Sequence, residues 1–235
     1  MNNKYPNGRI PKKSFNELFL VSDVEYNTLF ELIQILYPNA IGGNISLQEL
    51  ITLNLFCVLK NPMMIIEFGT FNGRTTLNLA ANTNTKAKIV TVDLPKEKLN
   101  NTKQPLEHNQ NFDDIDETGY VGLTHKLYLN FDEYAKNIKQ IWCDSADFIS
   151  LYPDYLQTAD MVFVDASHSF ENALNDSLSA KKLIKPGGWI FWHDYDGWPG
   201  VTEALNCIYD TIEIDSMFQI EETSIVCYNS SKSEE

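Results

Sequence analysis

The chain has 235 residues, long enough for one large domain, and its 43% apolar and 21% charged residues exclude a disordered protein. Its formal net charge of −14 repels phosphate backbones, so we expect no nucleic-acid partner. No window approaches the roughly 18 uninterrupted apolar residues of a membrane span, and the polar start MNNKYPNGRIPKK is unlike a secretory signal. We therefore expect a cytoplasmic protein with no membrane partner.

Four scattered cysteines, Cys57, Cys143, Cys207 and Cys227, each lie among apolar residues, and no CxxC pair occurs. This arrangement argues against a zinc cluster or a disulfide framework. It favours small thiols buried in the core. The chemistry of the protein is therefore sought in other residue types.

Residues 1–60 are predicted to form an N-terminal region that precedes a main domain of residues 61–235. Residues 1–20 indicate a loose arm. Two helices are predicted after it, because Ser22 with Glu25 and Ser46 with Glu49 have capping-box spacing ahead of a helical pattern. These helices either cover the sheet or serve as a lid or a homodimer contact, and the sequence does not separate these alternatives.

From Met63 onward, short apolar runs alternate with helical patterns. Five strands are predicted in MMIIEFG, AKIVTVDL, QIWCDS, ADMVFVDAS and WIFWHD, and a terminal hairpin is predicted in EIDSMFQIEETSIVCYN. The alternation is typical of an α/β fold, a doubly wound, mostly parallel sheet with helices on both faces. The polar residues 95–135 predict a long functional loop between the second and third strands.

Acidic residues stand at or near the end of every predicted strand, at Glu67, Asp93, Asp144, Asp165 and Asp194. Ligands of open α/β sheets bind outside the carboxyl ends of the strands. The sequence therefore places the functional site at this edge of the sheet.

The segment IIEFGTFNGRTT predicts one wall of a cofactor site. Gly69 allows a sharp turn after the first strand, and Gly73 allows a ligand to approach the following helix. The spacing fits neither the GxGxxG dinucleotide motif nor a P-loop. Asp93 is placed to accept hydrogen bonds from two ribose hydroxyls, and Asp144 with Ser145 to contact an adenine amine. Each of these residues is also explained, by itself, as a turn or a helix cap.

The ends of the fourth and fifth strands predict the reactive part of the site. If the fourth and fifth strands are neighbours, they lie ~4.8 Å apart with their ends level, and Asp165, His193 and Asp194 converge on one small volume. Together the three residues can hold Mg²⁺ or Mn²⁺, which would lower the pKa of a substrate hydroxyl. His193 is the base in a metal-free alternative. His168 is a second candidate base, because imidazole titrates near neutral pH, or else a helix-start residue bonded to the backbone.

Taken in order, ExGxxxG from Glu67 to Gly73, the strand-end Asp93, CDS and FVDASHSFENALNDSLSAKKLIKPGGWIFWHDY resemble class I S-adenosylmethionine-dependent methyltransferases. The resemblance covers about residues 60–230 and is strongest to small-molecule O-methyltransferases of the macrocin and catechol types. It implies a Rossmann-like sheet of seven strands, the last one reversed.

This resemblance also implies a cofactor, S-adenosyl-L-methionine, and residues that hold it. The cofactor residues are Glu67, Gly69, Thr70, Phe71, Gly73, Asp93, Asp144, Ser145 and Asp165. The catalytic residues are His168, Asp165 and His193, and the metal ligands, where a metal is used, are Asp165, His193 and Asp194. Related metal-dependent enzymes carry an acid–acid or acid–amide pair where this chain has His193 and Asp194.

The predicted function is methyl transfer to a hydroxyl of a small molecule, such as a sugar, a phenol or a natural product. Two alternatives stay open on the sequence. One is a nucleotide-dependent oxidoreductase on a similar fold, and the other is a non-catalytic protein that binds the cofactor.

Overall fold

A computed structural model of the chain describes residues 8–103, 122–211 and 216–230, and its centre is a single β-sheet. Within these ranges the sheet has eight strands: β1 (Lys12–Lys13), β2 (Met64–Phe68), β3 (Lys88–Asp93), β4 (Ile138–Trp142), β5 (Ala159–Val164), β6 (Ile184–Trp192), β7 (Met217–Ile220) and β8 (Val226–Asn229). The α-helices are α1 (Phe15–Phe19), α2 (Asp23–Leu32), α3 (Leu47–Lys60), α4 (Arg74–Ala81), α5 (Asp132–Ala135), α6 (Ser145–Leu151), α7 (Phe170–Leu183) and α8 (Pro199–Tyr209).

The strand order is β1-β7-β8-β6-β5-β2-β3-β4, and β8 runs antiparallel to both of its neighbours. The other pairs are parallel. The predicted Rossmann-like α/β fold with a C-terminal antiparallel hairpin is therefore confirmed. The predicted number of seven strands is wrong, because β1 adds an eighth at the edge.

Residues 8–20 are not the loose arm that the sequence indicated. The backbone N–H of Gln219 donates to the carbonyl of Pro11 at 2.9 Å, so β1 gives the edge strand β7 a partner. A third capping box, Ser14 with Glu17, then starts α1, whose Phe15 and Phe19 are buried. The region thus has three helices instead of two. The polar sequence around β1 carries no strand pattern, which is why it escaped prediction.

Side chains on the two faces of the sheet form two hydrophobic clusters. Ile65 and Phe163 face α3, where Leu53 is buried with them, while Ile66 and Val162 face the other side with α7 and α8. This alternation follows from the pleat of β-strands. The N-terminal region therefore shares a core with the sheet, and its predicted role as a lid or a homodimer contact stays a prediction.

Helix α4 holds the segment of residues 34–45 against the sheet by contacts to its main chain. The buried guanidinium of Arg74 donates to the carbonyls of Tyr37, Pro38 and Ile45. The side-chain amides of Asn78 and Asn82, one and two turns further on, each bind both the N–H and the C=O of one residue in the segment. This row of side chains fixes the path of residues 34–45 beside the strand ends.

Three smaller differences from the sequence prediction concern boundaries and burial. Strand β6 begins at Ile184 instead of Trp189, with a register shift across its turn residues. Cys207 is exposed on α8, whereas the other three cysteines are buried as expected. Of the helices in the described part of the chain, none has the length and apolarity to cross a membrane.

Gly69 is the glycine on which the edge of the sheet most depends. Its φ is +93°, and a Cβ atom there would lie 1.8 Å from the carbonyl oxygen of Asp165. Gly187 has a similar φ of +80° but nothing within 4 Å of such an atom. Alanine substitutions at the two positions therefore separate the cost of backbone strain from the cost of steric overlap.

We predict that Gly69→Ala lowers the free energy of unfolding by more than twice as much as Gly187→Ala. The second substitution carries the cost of a left-handed backbone, about 1–2 kcal/mol, whereas the first adds a clash between two strand ends. Urea unfolding of both variants measures the difference. Equal losses would mean that the approach of Gly69 to Asp165 contributes nothing.

Candidate active site

Parallel pairing brings the ends of β2, β3, β5 and β6 to one edge of the sheet. Phe68 is level with Val92 and Val164, and Val164 is level with Trp192. The residues that follow these strands open on a cavity of about 270 Å³. Polar and aromatic residues in its wall include Phe71, Asp93, Asp144, Ser145, Asp165, His168, His193, Asp194 and Trp198.

Six of the nine predicted cofactor residues line this cavity: Gly69, Phe71, Asp93, Asp144, Ser145 and Asp165. The other three are turned away from it. Glu67 is fully buried, and the hydroxyl of Thr70 bonds to that of Thr91 at 2.6 Å. Gly73 packs against the ring of Tyr128, which a Cβ atom would meet at 2.8 Å. The loop of residues 69–73, called the glycine loop below, therefore lines the cavity with Gly69 and Phe71.

Asp93, the predicted ribose ligand, forms an ion pair that the sequence did not reveal. The ammonium of Lys126 donates to Asp93 Oδ2 at 2.8 Å and also to the carbonyl of Phe71. Burial raises the pKa of Asp93, an effect that Lys126 opposes, and burial lowers the pKa of Lys126, which Asp93 opposes. Lys126 is 33 positions from Asp93 in an irregular segment, so no spacing pattern pointed to it.

Asp144, the predicted adenine contact, is also the N-cap of α6. Its Oδ1 accepts from the backbone N–H of Ala146 at 2.9 Å, and its Oδ2 accepts from that of Lys103 at 2.8 Å. Asp144 can therefore be a helix cap and also part of the cofactor wall, the two roles that the sequence left open.

Glu67 lies beneath the cavity in a cluster of hydroxyl groups. Its Oε2 accepts from the hydroxyls of Thr76 and Thr91, and within the described residues Oε1 has no hydrogen-bond partner. Burial raises the pKa of Glu67 to about 8, against the opposing effect of the two hydroxyls. The side chain is therefore protonated at neutral pH.

Three carboxylates surround the buried ring of His193. Its Nδ1 lies 3.0 Å from Asp165 Oδ1 and 3.1 Å from Asp194 Oδ2, and its Nε2 lies 3.1 Å from Glu49 Oε2. Ionised carboxylates only accept hydrogen bonds, so both ring nitrogens donate and the ring is an imidazolium. Burial alone lowers the pKa of His193, but Asp165 and Asp194 outweigh it and hold the pKa well above its usual range.

Glu49 was predicted only as a helix cap, yet it reaches the site from α3. Its Oε1 accepts from the N–H and the hydroxyl of Ser224 at 2.9 and 2.7 Å, and its Oε2 from the N–H of Ser46 at 2.9 Å. Burial opposes its ionisation, but His193 and Ser224 hold its pKa well below the usual range. One feature of the sequence could have indicated this position. Leu53 lies one helical turn beyond Glu49 and its apolar side chain faces the sheet, so Glu49 lies on the same face of α3.

His168 packs beside this cluster on the loop that leaves β5. Its Nε2 lies 2.9 Å from Asp194 Oδ2, and its ring stacks on that of Trp198 with a centroid distance of 4.2 Å. Asp165, His168 and Asp194 each offer a ligand atom within 4.8 Å of the others. The predicted metal set contained His193 in place of His168, but both nitrogens of His193 already donate to carboxylates.

The aromatic residues that follow β6 take different positions. Trp198 lines the cavity, whereas the buried hydroxyl of Tyr195 bonds to Asn206 and to the N–H groups of Arg9 and Ile10. The predicted functional loop of residues 95–135 falls partly outside the described residues. His125 is exposed, and Tyr128 packs against the glycine loop.

Comparison with known proteins finds one matching family model, described as a methyltransferase domain, over residues 66–195. No curated protein sequence matches the chain. Three solved structures resemble the fold at low identity. An O-methyltransferase from Bacillus cereus in complex with SAH is 14% identical, covers 92% of this chain and 94% of its own, and has a TM-score of 0.55.

The second is the O-methyltransferase TomG from Streptomyces achromogenes, involved in tomaymycin synthesis and in complex with SAM. It is 14% identical, covers 97% of this chain and 92% of its own, and has a TM-score of 0.51. The third is the SAH-bound methyltransferase PaMTH1 from Podospora anserina. It is 16% identical, covers 88% of this chain and 87% of its own, and has a TM-score of 0.53.

We predict that Glu67→Gln removes part of the pH dependence of stability. The folded state keeps its proton up to pH about 8 while the unfolded chain loses it near 4.5, so this stability is present in acid and lost as the pH rises between these values. Between pH 5 and 8 the wild type should lose up to about 4 kcal/mol relative to the variant. Urea unfolding at both pH values measures this. Parallel pH profiles would show that Glu67 is ionised in the fold.

We also predict that Glu49→Ala destabilises the fold far more than Glu25→Ala. Both residues close a capping box, but Glu25 is exposed, whereas removal of Glu49 takes the acceptor from Nε2 of His193 and from the N–H and hydroxyl that Ser224 directs at it. We expect losses of about 1 kcal/mol for Glu25 and about 3 kcal/mol or more for Glu49, because one charged contact of the imidazolium is lost with it. Thermal or urea unfolding tests this, and equal losses would reduce Glu49 to a helix cap.

Proposed function

This chain belongs to the methyltransferase-domain family, and we propose that it transfers a methyl group from S-adenosyl-L-methionine to a hydroxyl of a small molecule. The observation that carries the proposal is one cavity at the strand ends that holds both Asp93 and the Asp165–His168–Asp194 cluster. The first supplies acceptors for a ribose, and the second supplies a base with its orienting acid. Support also comes from similar folds crystallised with SAM or SAH.

The residues around the cavity fit a nucleoside cofactor. Asp93 would accept hydrogen bonds from the ribose hydroxyls, and Asp144 with Ser145 would border the adenine. Gly69 brings its main chain, without a side chain, to the cavity wall, where a Cβ atom would overlap the carbonyl of Asp165. When bound, S-adenosyl-L-methionine supplies a methyl group made electrophilic by the neighbouring sulfonium charge.

His168 is the base in this proposal. The Oδ2 atom of Asp194 accepts a hydrogen bond from Nε2–H of His168. The stack on Trp198 fixes the plane of the ring. For the ring to act as an acid-oriented base, its other nitrogen, Nδ1, which is buried in this structure, would have to become exposed to the acceptor hydroxyl and take its proton. Most of the rate enhancement would come from holding the acceptor oxygen in line with the methyl group.

Asp165 and His193 would act beside this base without exchanging protons with the acceptor. The imidazolium of His193 donates to Asp165 and Asp194 and so keeps both carboxylates in fixed orientations. The predicted use of His193 as a base has less support from this geometry than the use of His168, because a ring that donates from both nitrogens has no lone pair to offer.

A divalent metal is the second element of the proposal, and a specific cluster favours it. Asp165, His168 and Asp194 combine two carboxylates with one imidazole, a donor set that suits Mg²⁺ or, more closely, Mn²⁺. The ion would polarise the acceptor hydroxyl and lower its pKa. His168 would then be a ligand instead of the base.

The acceptor site borders Gly43, Asn44 and Trp198, which line the cavity along with the catalytic cluster. An aromatic face and small polar groups suit a sugar, a phenol or a natural product that carries hydroxyls. A homodimer and a cytoplasmic location stay predictions from the sequence. The net charge of −14 continues to argue against nucleic acid as a partner.

We predict that the chelator-treated protein binds S-adenosylhomocysteine with micromolar affinity by calorimetry, and that Asp93→Asn weakens this binding at least about tenfold. His168→Asn should keep the affinity within about twofold while methyl transfer falls roughly 10²–10⁴-fold. Transfer is followed with radiolabelled S-adenosylmethionine and a panel of hydroxyl acceptors. Asp210→Asn, which breaks the exposed pair with Arg9, is the control.

Titration with Mn²⁺ separates the two roles of His168. Heat of Mn²⁺ binding that is lost in both Asp165→Asn and His168→Asn supports the metal cluster, and turnover without any metal supports the base. If the wild type binds no S-adenosylhomocysteine, the cofactor assignment is wrong and the oxidoreductase alternative is tested with NADH. Cofactor binding with no transfer to any acceptor would favour a non-catalytic binding protein.

A further inference from the structure

Lys126 is a buried lysine in the part of the molecule that faces the proposed cofactor. Its side chain is 1% exposed, although lysine is almost never fully buried without a partner. The ammonium donates to Asp93 Oδ2 at 2.8 Å and to the carbonyl of Phe71, and lies 5.0 Å from the ring centroid of Trp142. Two of these three neighbours, Asp93 and Phe71, line the cavity.

These contacts fix the direction of the Asp93 carboxylate. Its Oδ1 accepts from the backbone N–H of Leu94 at 3.1 Å, so each oxygen has one donor among the residues that the structure describes. A carboxylate has about four lone-pair sites, and two therefore remain for a ligand in the cavity. Two acceptor sites at fixed positions match the two neighbouring hydroxyls of a ribose.

We propose that Lys126 is a positioning residue for the cofactor, which aims the carboxylate of Asp93 at the vicinal hydroxyls of the ribose. The inference rests on the proposed function, because it takes the occupant of the cavity to be an adenosine derivative. The same ammonium anchors the carbonyl of Phe71, where the glycine loop borders the cavity at a φ of +45°. Lys126 thus fixes two parts of one binding wall and does not touch the ligand itself.

A purely structural role for Lys126 makes a different prediction. The residue begins a segment that packs on the glycine loop, since the N–H of Leu127 donates to the carbonyl of Asn72 at 2.8 Å and Tyr128 lies against Gly73. If Lys126 served only this packing, its loss would weaken every ligand of the cavity by the same factor. If it aims Asp93, its loss would chiefly remove the preference for ligands that carry ribose hydroxyls.

The experiment compares adenosine, 2′-deoxyadenosine and 3′-deoxyadenosine with S-adenosylhomocysteine as ligands in calorimetry. Lys126→Met removes the ammonium but keeps the length of the side chain. Lys139→Met is the matched control, because Lys139 is exposed and lies outside the cavity wall, where its ammonium donates to the hydroxyl of Tyr155 at 3.1 Å. Asp93→Asn and the double variant complete a cycle.

We expect Lys126→Met to weaken S-adenosylhomocysteine binding about 10–100-fold, as for a lost charged hydrogen bond, and Lys139→Met to change it less than twofold. The wild type should prefer adenosine over both deoxy forms, and in Lys126→Met this ratio should fall toward one. The double variant should bind no more weakly than Asp93→Asn alone.

Three results would overturn the inference. In the first, Lys126→Met binds S-adenosylhomocysteine as tightly as the wild type. In the second, Lys126→Met loses the same factor of affinity for adenosine and for its deoxy forms. In the third, the wild type binds adenosine and its deoxy forms equally well. The last result needs no variant, so the inference stays testable even if Lys126→Met does not fold. Failure of the wild type to bind S-adenosylhomocysteine at all would instead refute the proposed function.

Discussion

The convergence of three carboxylates on the buried imidazolium of His193 is the constraint on which the rest of the site depends. Glu49 comes from an N-terminal helix, Asp165 from the end of β5 and Asp194 from the end of β6. Glu49 also accepts two hydrogen bonds from Ser224 in the C-terminal hairpin. A buried charge without partners costs several kcal/mol, so all of these segments must be in place together. The charge network therefore joins both ends of the chain to the strands that carry the site.

A second buried ion pair, between Lys126 and Asp93, serves the opposite side of the same cavity. The two pairs have different surroundings. His193 is outnumbered by carboxylates, which leaves an excess of negative charge beside Asp165 and His168, whereas Lys126 and Asp93 balance one another. An excess of negative charge favours cations, and both a sulfonium and a divalent metal carry positive charge. The proposed chemistry thus takes place beside an excess of carboxylates, and the neutral pair would border the uncharged nucleoside.

The sequence predicted the sheet and the acids at its edge because both follow from local patterns. Strand–helix alternation implies parallel strands, and parallel strands end at one edge, which brought Asp93, Asp165 and Asp194 to one cavity. Glu67 and Thr70 lie away from the cavity because their side chains turn into the core, which the spacing of the motif does not reveal. Glu49 and Lys126 were missed because their partners lie 144 and 33 positions away, and nothing local marks such contacts. Strand β1 was missed because it has only two residues, Lys12–Lys13, and the polar sequence around it has no apolar alternation.

The row of Arg74, Asn78 and Asn82 has a consequence for how the cavity can diversify. These side chains hold residues 34–45 by carbonyl and N–H groups, which every residue type except proline supplies in full. The path of residues 34–38 is thus largely independent of their own side chains, whereas Asn44 is also held by a side-chain bond to Asn72. Replacement of side chains near Gly43 and Asn44 would reshape the rim of the cavity while the scaffold beneath is conserved. Substitutions in this segment are therefore a way to change which acceptor the cavity binds, both among related proteins and by engineering.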